Sequence, residues 1–238
     1  MAIHAHVYYT DIVLEFVDYI NHVPQPFDCF FTTDTTDKKS IIDKMIGNLN
    51  AEKREIRVVP NVGRDMAPFV VGCRDILRGY NTVCHIHTKK SSHTTHNSYG
   101  DTWRKHLLDH LLGSQCQVKA ILKYFSDNPD VGLLYPANFI PIQYCLEMDI
   151  NRWNVDYLIE RIGLKTDLPW EIVCPVGTMF WARTKALQNL FDAELSYSEF
   201  ESEVGQLDGT LAHAFERLFV YIAEDNGYSS RVIGSKLN

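Results

Sequence analysis

The sequence predicts an α/β protein with a Rossmann-like, mostly parallel sheet and helices on both faces of that sheet. Apolar runs rich in β-branched and aromatic residues alternate with segments of helical periodicity as far as Thr88. Parallel strands need crossovers, and helices supply them compactly, so the alternation predicts a β-α-β-α-β-α-β unit. A content of 45% hydrophobic and 22% charged residues excludes the disordered, collagen-like and coiled-coil classes.

The individual elements follow from the two periodicities. The predicted strands are 2–9, 27–34, 55–60, 82–88, 131–136 and 176–183. The predicted helices are 11–21, 37–49, 66–78, 101–112, 115–126, 151–162 and 206–223. Residues 136–150 are ambiguous. The polar stretch 89–100 is too long for a simple connection, so we expect a functional loop there.

The chain of 238 residues contains no Pro-, Gly- or Ser-rich linker and no internal repeat, so we expect a single domain over residues 1–238. Its formal net charge of −7 disfavours nucleic acid as a partner of the whole surface. No apolar run approaches the roughly 18 residues that a membrane span needs, and the first residues lack the layout of a secretory signal. These features predict a cytoplasmic protein without a transmembrane segment.

Six cysteines are scattered along the chain, and none forms a C-x-x-C pair. They are Cys29, Cys73, Cys84, Cys116, Cys145 and Cys174. The pattern predicts reduced core thiols, and neither a disulfide framework nor a zinc ribbon is indicated.

Several predicted strands end in polar residues, and open parallel sheets bind ligands at the carboxyl ends of their strands. Thr33 and Asp34 follow the second strand and offer a hydroxyl and a carboxylate that could grip the base and ribose of a nucleoside. The same residue types are good helix N-caps, so capping of the next helix is the alternative.

The third strand is followed by Asn61, Gly63, Arg64 and Asp65, which lead into a helix. The amino end of a helix attracts phosphate, and the planar guanidinium of Arg64 suits phosphoryl oxygens. The alternative is a turn in which Asp65 caps the helix and pairs with Arg64. The fingerprints G-x-G-x-x-G after a strand and G-x-x-x-x-G-K-[ST] are both missing, so dinucleotide and P-loop chemistry lose support.

The fourth predicted strand ends in the most distinctive segment of the chain. Its residues His85 and His87 point to one face, because strands have a period of two, and they could share a ligand or a metal there. Lys89 and Lys90 add two cations just beyond the strand. The alternative is a hydrogen-bonded histidine pair with solvated lysines, but the position at a strand end favours a functional site.

Arg104 lies near the start of the following helix and is a second candidate phosphate clamp, with Asp101 or Thr102 as the helix cap. His106 and His110 have the i, i+4 spacing that can chelate zinc. Because the glutamate of H-E-x-x-H is missing, a surface pair is the favoured interpretation.

Acidic residues lead into the last long helix. Helical periodicity predicts that Asp208 flanks the buried stripe and borders a cleft, and that His213 faces water. A carboxylate at a helix start is kept ionised by the helix dipole. This suits a general base and suits an N-cap equally.

Five longer segments are distinctive as a set. They are NVGRDMAPF, YNTVCHIHTKKSSH, WRKHLLDHLLG, VGTMFWARTKAL and GQLDGTLAHAFERLF. Together they resemble the rhamnan synthesis protein F family over nearly the whole chain. The resemblance implies a glycosyltransferase, or a domain of one, that builds rhamnose-containing cell-wall polysaccharides and lipopolysaccharide O-antigens from nucleotide-activated sugars. The order of elements is also similar to inverting glycosyltransferases of the GT-A fold, which implies a nucleotide-binding half of about 1–100 and an acceptor-side half of about 101–238.

The GT-A resemblance carries over only in part. Asn61, Gly63 and Arg64 match an Asn/Gly/Arg segment before a helix, whereas His85 and His87 stand where that fold has Asp-x-Asp. Paired carboxylates hold Mg²⁺ or Mn²⁺, while imidazoles favour softer ions or act as donors. A divalent metal is therefore an open alternative, and the favoured version has cationic side chains neutralise the diphosphate.

The resemblance also implies a reaction. A donor such as dTDP-L-rhamnose would place its diphosphate near His85, His87, Lys89 and Arg64. Its base would lie near Thr33 and Asp34. In one inverting displacement, Asp208 would take the proton of the acceptor hydroxyl, with Glu203 as the reserve base. Gly177 and Thr178 would form part of the acceptor wall.

The implied partners are a nucleotide-sugar donor and a polysaccharide or lipid-linked saccharide acceptor. A lipid-linked acceptor is compatible with peripheral association at the inner face of the membrane. Two other classes of function stay open. One is a non-catalytic nucleotide-sugar or carbohydrate-binding module of a larger assembly protein, and the other is a metal-dependent hydrolase built on His85, His87 and either His106 or His110.

Overall fold

The computed structural model of the chain describes residues 1–24, 26–90, 98–142, 148–169 and 171–234. These residues contain a seven-stranded sheet of order β3-β2-β1-β4-β6-β5-β7. Its strands are β1 (Ala2–His6), β2 (Asp28–Thr33), β3 (Lys53–Val58), β4 (Thr82–His87), β5 (Val131–Pro136), β6 (Phe180–Arg183) and β7 (Ser229–Ile233).

Helices cover both faces of this sheet, as predicted. They are α1 (Val13–Ile20), α2 (Thr36–Met45), α3 (Arg74–Leu77), α4 (Ser98–Leu112), α5 (Gln115–Asp127), α6 (Arg152–Ile162), α7 (Gln188–Asp192) and α8 (Leu211–Asp225). One apolar cluster contains residues of α1, α2, α4 and α5, and a second contains residues of α3, α6, α7 and α8. The alternating side chains of the central strands divide between the two clusters, because successive residues of a strand point to opposite faces.

The first half of the chain confirms the predicted crossovers. The pairs β1 with β2, β1 with β4 and β2 with β3 are all parallel. The carboxyl ends of these four strands therefore lie at one edge of the sheet, which we call the carboxyl edge.

In the second half, strand direction changes. β6 runs antiparallel to both β4 and β5, and β5 pairs in parallel with β7, a strand that the periodicity analysis does not predict. Because β6 runs backwards, the residues just before it lie at the carboxyl edge. Predicted strand 176–183 is thus shortened to its last four residues, and its first part forms a turn at the site.

Two predicted helices need correction. The predicted helix 66–78 is a π-helical turn, Pro68–Gly72, followed by the short α3. Pro68 lacks an N–H group, and Gly72 packs too closely on Tyr197 for a larger residue. The predicted helix 206–223 begins only at Leu211, because Gly209 has a φ of +80° and Thr210 is the extended N-cap.

The cysteines largely follow the prediction. Cys29, Cys73, Cys84 and Cys174 are free and buried, whereas Cys116 is free and exposed, so it is not a core thiol. Cys145 and most of the predicted loop 89–100 lie outside the described residues. Among the helices that the structure describes, none has the length and apolar character to cross a membrane.

Candidate functional site

Four histidines lie side by side near the carboxyl edge. His4 of β1 is the direct neighbour of His85 of β4, and His6 is the neighbour of His87. All four are buried, and their period-two spacing puts them on the sheet face that packs against α8. The common face predicted for His85 and His87 thus contains a second pair from β1.

A chain of hydrogen bonds joins Asp65 to His6 through the interior. His85 Nε2 lies 3.1 Å from Asp65 Oδ2, and His85 Nδ1 lies 2.9 Å from His4 Nδ1. Thr32 Oγ1 lies 3.2 Å from His4 Nε2 and 3.0 Å from His6 Nδ1. One proton assignment satisfies every link: His6 donates to Thr32, Thr32 to His4, His4 to His85, and His85 to Asp65. We call these five residues the histidine network.

Burial controls the ionisation of the histidines. Burial, together with the neighbouring imidazoles, lowers the pKa of both His4 and His6, and the pKa of His6 falls to about 3. Burial likewise lowers the pKa of His87 to about 4, with the Asp65 carboxylate opposing the shift. These three imidazoles are therefore neutral at physiological pH, and they can act there as hydrogen-bonding groups but not as cations.

Asp65 is the acidic centre of a group of polar side chains at the carboxyl edge that also contains His85, His87, Thr178, Arg64 and Lys89, and we call this group the cluster. Burial alone would raise its pKa, but the imidazoles of His87 and His85 and a 2.7 Å hydrogen bond from the Thr178 hydroxyl hold the pKa below its usual value. Asp65 neither caps a helix nor pairs with Arg64, so that alternative interpretation of the 61–69 segment is wrong.

Two strained backbone turns meet at Asp65. Gly63 and Arg64 have φ values of +62° and +54°, and Gly177 and Thr178 have φ values of +95° and +51°. Left-handed backbone is costly for Arg and Thr, and such strain is concentrated at functional sites. His87 Nε2 joins the second turn through the Gly177 carbonyl at 2.8 Å. The structure thus brings together the predicted residues Gly63, Arg64, Asp65, Gly177 and Thr178, with Asn61 exposed just before the first turn.

The two predicted lysines point to different places. The Lys89 ammonium lies 3.8 Å from the centre of the Trp103 ring. Burial lowers the pKa of Lys89, while the nearby Glu216 and Asp65 carboxylates raise it and Arg64 lowers it. Lys89 therefore belongs to the cluster. Lys90 forms an ion pair with Asp11 instead.

Arg104 is 3% exposed, and its guanidinium is occupied by protein groups. It donates to Glu15 at 2.9 Å and to Asp101 at 2.6 Å, and it also donates to the Lys89 carbonyl. Asp101 and Thr102 are the fourth and fifth residues of α4, which starts at Ser98, so neither is the N-cap.

At the end of β2, the alternative of a helix N-cap is confirmed, but the capping residue is Thr35 and not Thr33 or Asp34. Thr35, the residue after Asp34, is the N-cap of α2 and accepts from the Lys38 N–H at 3.2 Å. Asp34 forms an ion pair with Lys38 at 2.7 Å. Thr33 Oγ1 is buried and has no hydrogen-bond partner among the described residues.

Asp208 lies in the segment before α8 and is held by several donors. It accepts from the Asn151 amide at 2.9 Å and from Arg217 at 3.1 Å. His213 Nδ1 lies 3.7 Å from Asp208, and His213 is only 8% exposed, so the expectation that it faces water is wrong. His213 turns inwards because its Nδ1 meets the Thr210 hydroxyl at 2.8 Å in a capping box.

His213 links Asp208 to the cations of the cluster. Burial, followed by the Arg64, Arg217 and Lys89 cations, lowers the pKa of His213 to about 4, although Asp208 opposes this shift. Glu203 accepts from the Arg64 N–H at 3.1 Å, and burial raises the pKa of Glu203. Both predicted bases therefore lie within the same electrostatic surroundings as Arg64.

Four residues of the site are not predicted from the sequence, namely His4, His6, Glu216 and Arg217. His4 and His6 repeat the spacing of His85 and His87 in the I-H-A-H run of the first strand, which is a usable signal. Glu216 accepts from the Gly177 N–H at 3.0 Å, and Arg217 contacts Asp208. A charged pair inside a mostly apolar helix is the signal for these two.

The residues present do not match a magnesium or manganese site. Within the described ranges, no group of three or more His, Cys, Asp or Glu side chains is arranged to hold a metal ion. Asp65 Oδ2 is already shared by His85 and Thr178, and the residues two positions away, Gly63 and Ala67, cannot supply the second carboxylate of an Asp-x-Asp pair. His106 and His110 bond to the backbone carbonyls of Ala137 and His106.

Two open cavities occur outside the cluster. One of about 440 Å³ is lined by Lys39, Asp43, Ile46, Gly47, Arg54 and Ile56. The other, of about 290 Å³, is lined by Asp109, His110, Gly113, Ser114 and Gln117. Except for His110, none of these lining residues was singled out from the sequence.

Comparison with known proteins gives three findings. The family model described as rhamnan synthesis protein F matches residues 1–228. Two relatives from strains of Xanthomonas campestris pv. campestris, each named uncharacterized protein WxcX, are 40% identical over 221 residues. The match covers 92% of this chain but 30% of each relative, so the chain spans about 30% of the length of these relatives. Mouse xyloside xylosyltransferase 1 in its apo form aligns with a TM-score of 0.41 and 8% identity, over 98% of this chain and 85% of that one.

Proposed function

The chain belongs to the rhamnan synthesis protein F family, and from this premise we propose that it is a glycosyltransferase domain that takes part in polysaccharide synthesis. The observation that carries the proposal is the convergence of Arg64, Lys89, Asp65 and the Gly177–Thr178 turn at the carboxyl edge of the sheet. This edge is where open parallel sheets bind nucleotides. The donor we propose is an activated rhamnose, best represented by dTDP-L-rhamnose.

The donor diphosphate is the group that the cations recognise. Arg64 and Lys89 are close enough for each to influence His213, and guanidinium and ammonium groups both bind phosphoryl oxygens. His87 is neutral at physiological pH and contributes hydrogen bonding. His85 is fully buried, so its role in this proposal is to hold Asp65. The donor base would lie towards Thr33 and Asp34.

The chemistry is a single displacement with inversion. The acceptor hydroxyl oxygen attacks the anomeric carbon, the bond from that carbon to the diphosphate oxygen breaks, and the diphosphate leaves with the bonding electrons. Asp208 takes the proton of the acceptor hydroxyl, and a general base of this kind contributes about 10²–10⁴-fold in rate. The Gly177–Thr178 turn, which lies beside the diphosphate, also forms part of the wall against which the acceptor lies. In this proposal, the Arg64 and Lys89 cations stabilise the leaving diphosphate, and no metal ion takes part.

A second candidate function has its own support. The Asp208 carboxylate accepts from both Asn151 and Arg217, which weakens it as a proton acceptor, and Glu203 is bonded to Arg64. A chain with both bases engaged would suit a non-catalytic module that binds a nucleotide-sugar or a saccharide within a larger protein.

The substitution Asp208→Asn separates the two functions. Sugar transfer from dTDP-rhamnose to a rhamnose-containing acceptor should fall by about 10²-fold or more, while calorimetry should give an unchanged affinity for the donor. Asp156→Asn, which removes an exposed carboxylate from α6, should retain full activity. Tight donor binding by the unaltered chain with no turnover on any acceptor would support the binding module, and full activity of the Asp208 variant would remove Asp208 from the mechanism.

A further inference from the structure

Residues 200–209 lie across the turn that contains Gly63 and Arg64, and we call this segment the acidic strap. Ser202 of the strap forms an isolated antiparallel bridge with Val62. The Gly63 N–H donates to the Glu201 carbonyl at 3.4 Å, and the Arg64 guanidinium donates to the Gln206 carbonyl. The strap is therefore fastened to one of the two strained turns at the proposed donor site.

Within this contact, a carboxylate occupies the groups that would suit a phosphate. Glu203 accepts from the Arg64 N–H at 3.1 Å, and its second oxygen lies 3.7 Å from Arg64 Nε. A backbone N–H beside a guanidinium is a typical recognition set for a phosphoryl group. The Glu203 side chain is 21% exposed and that of Arg64 is 33% exposed, so solvent and ligands can reach the pair.

The second strained turn repeats this arrangement. Glu216 of α8 accepts from the Gly177 N–H at 3.0 Å. Burial raises the pKa of Glu216, and the Lys89 ammonium opposes this shift more than any other neighbour does. Here too, a carboxylate takes up a backbone N–H beside a cation.

The two arrangements share one electrostatic site. Arg64 and Lys89 both lower the pKa of His213, and Arg64 also lowers the pKa of Lys89. Two cations that repel each other favour an anion that can bridge them. The Thr178 hydroxyl bonds to Asp65, the residue after Arg64, at 2.7 Å, so the two turns adjoin. A diphosphate, with oxygens on two phosphorus atoms, suits both turns at once, whereas each carboxylate serves only one.

We infer that Glu203 and Glu216 are internal competitors at a diphosphate site formed by the N–H groups of Arg64 and Gly177 together with the Arg64 and Lys89 side chains. A diphosphate binds there by displacing both carboxylates. The identification of this diphosphate with that of a sugar donor rests on the proposed function. Competition of this kind weakens the hold on the leaving diphosphate, which favours its release after transfer.

The test is calorimetric titration with inorganic pyrophosphate in metal-free buffer. Glu203→Gln and Glu216→Gln keep an oxygen that can accept from the N–H but remove the charge, so each variant should bind pyrophosphate about tenfold more tightly than the unaltered chain. Arg64→Met should bind about tenfold less tightly. Asp11→Asn removes an exposed carboxylate at the same edge and should change the affinity less than about twofold.

Unchanged or weaker pyrophosphate affinity in the glutamine variants would overturn the inference. An equal gain in affinity for Asp11→Asn would also overturn it, because the gain would then come only from the lower negative charge of the protein. Glu203 is the more exposed of the two, so its variant decides the matter if Glu216→Gln does not fold. If the variants have the expected pyrophosphate affinities but the chain transfers no sugar, the diphosphate site is supported and the proposed transferase activity is contradicted. Sugar transfer with unaltered affinities would do the reverse.

Discussion

The Thr178 hydroxyl donates a 2.7 Å hydrogen bond to the Asp65 carboxylate and so joins two turns that are 113 residues apart in the sequence. Thr178 has a φ of +51°, and Arg64, the residue before Asp65, has a φ of +54°. A β-branched residue pays a steric penalty in this region, so the surrounding bonds must hold it there. Asp65 is therefore the point at which the two halves of the site are fixed to each other.

We expect Thr178→Val to show the strength of this bond. Valine has nearly the same shape but no hydroxyl, and it leaves the buried Asp65 with one donor fewer. The free energy of unfolding in urea at pH 7 should decrease by about 1–3 kcal/mol. Thr178→Ser retains the hydroxyl and should stay within about 0.5 kcal/mol of the unaltered chain. Equal stability of the two variants would mean that the hydrogen bond contributes nothing.

The buried histidines predict a loss of stability in acid. Burial lowers the pKa of His6 to about 3 and that of His87 to about 4, whereas both should titrate near 6.5 when unfolded. Between these values the unfolded chain binds more protons than the folded chain, so the free energy of unfolding falls as the pH drops from about 6.5 towards 4. Each histidine contributes up to about 1.4 kcal/mol per pH unit in this window and nothing above it.

Urea unfolding at a series of pH values between about 4.5 and 7.5 measures this slope below about pH 6.5, the unfolded pKa, and its absence above that pH. His6→Gln keeps a side chain that can bond to Thr32 but does not titrate. The variant should therefore take up about one proton fewer on unfolding, and the slope should decrease by up to about 1.4 kcal/mol per pH unit. A slope that is the same in the variant and in the unaltered chain would contradict the neutral, buried state assigned to His6.

The parallel half of the fold could be predicted because each strand from β1 to β3 is followed by a segment of helical period that leads to the next strand. The direction of β6 could not, since a buried strand has the same composition whichever way it runs. β7 escaped because Ser229–Ile233 is a short edge strand with only one fully buried residue. These are limits of periodicity, which carries no information about partners distant in the chain.

The residues of the candidate site also divide into those that a sequence pattern indicates and those that depend on contacts between distant segments. The shared face of His85 and His87 follows from a period of two, and the matching pair at His4 and His6 was available from the same argument. The role of Asp65 depends on Thr178, and that of Glu216 depends on the Gly177 N–H. Such contacts follow from strand order and from left-handed backbone at non-glycine residues, neither of which a sequence pattern specifies.

Gly63 and Gly163 offer a matched pair of glycine substitutions. Both have left-handed backbone, with φ values of +62° and +68°, so alanine should cost about 1–2 kcal/mol at either position. A Cβ atom at Gly63 would also lie 2.3 Å from Phe200 Cδ1, whereas nothing lies within 4 Å of one at Gly163. We expect Gly63→Ala to be less stable than Gly163→Ala by a further 1–3 kcal/mol, roughly, in urea unfolding. Similar losses of stability for both variants would show that Phe200 of the acidic strap moves away from the new Cβ atom at little cost in free energy.

Arg104 and Lys90 test whether the cations of the predicted phosphate clamp stabilise the fold or remain free for a ligand. Arg104 is buried and bonded to Glu15 and Asp101, so Arg104→Met removes several charge-assisted hydrogen bonds and should cost about 1–3 kcal/mol. The ion pair of Lys90 with Asp11 is exposed, and Lys90→Met should cost less than about 1 kcal/mol. Urea unfolding of both variants gives the comparison. If instead Arg104→Met were as stable as Lys90→Met and bound pyrophosphate more weakly than the unaltered chain, Arg104 would be a ligand-binding residue and its ion pairs incidental.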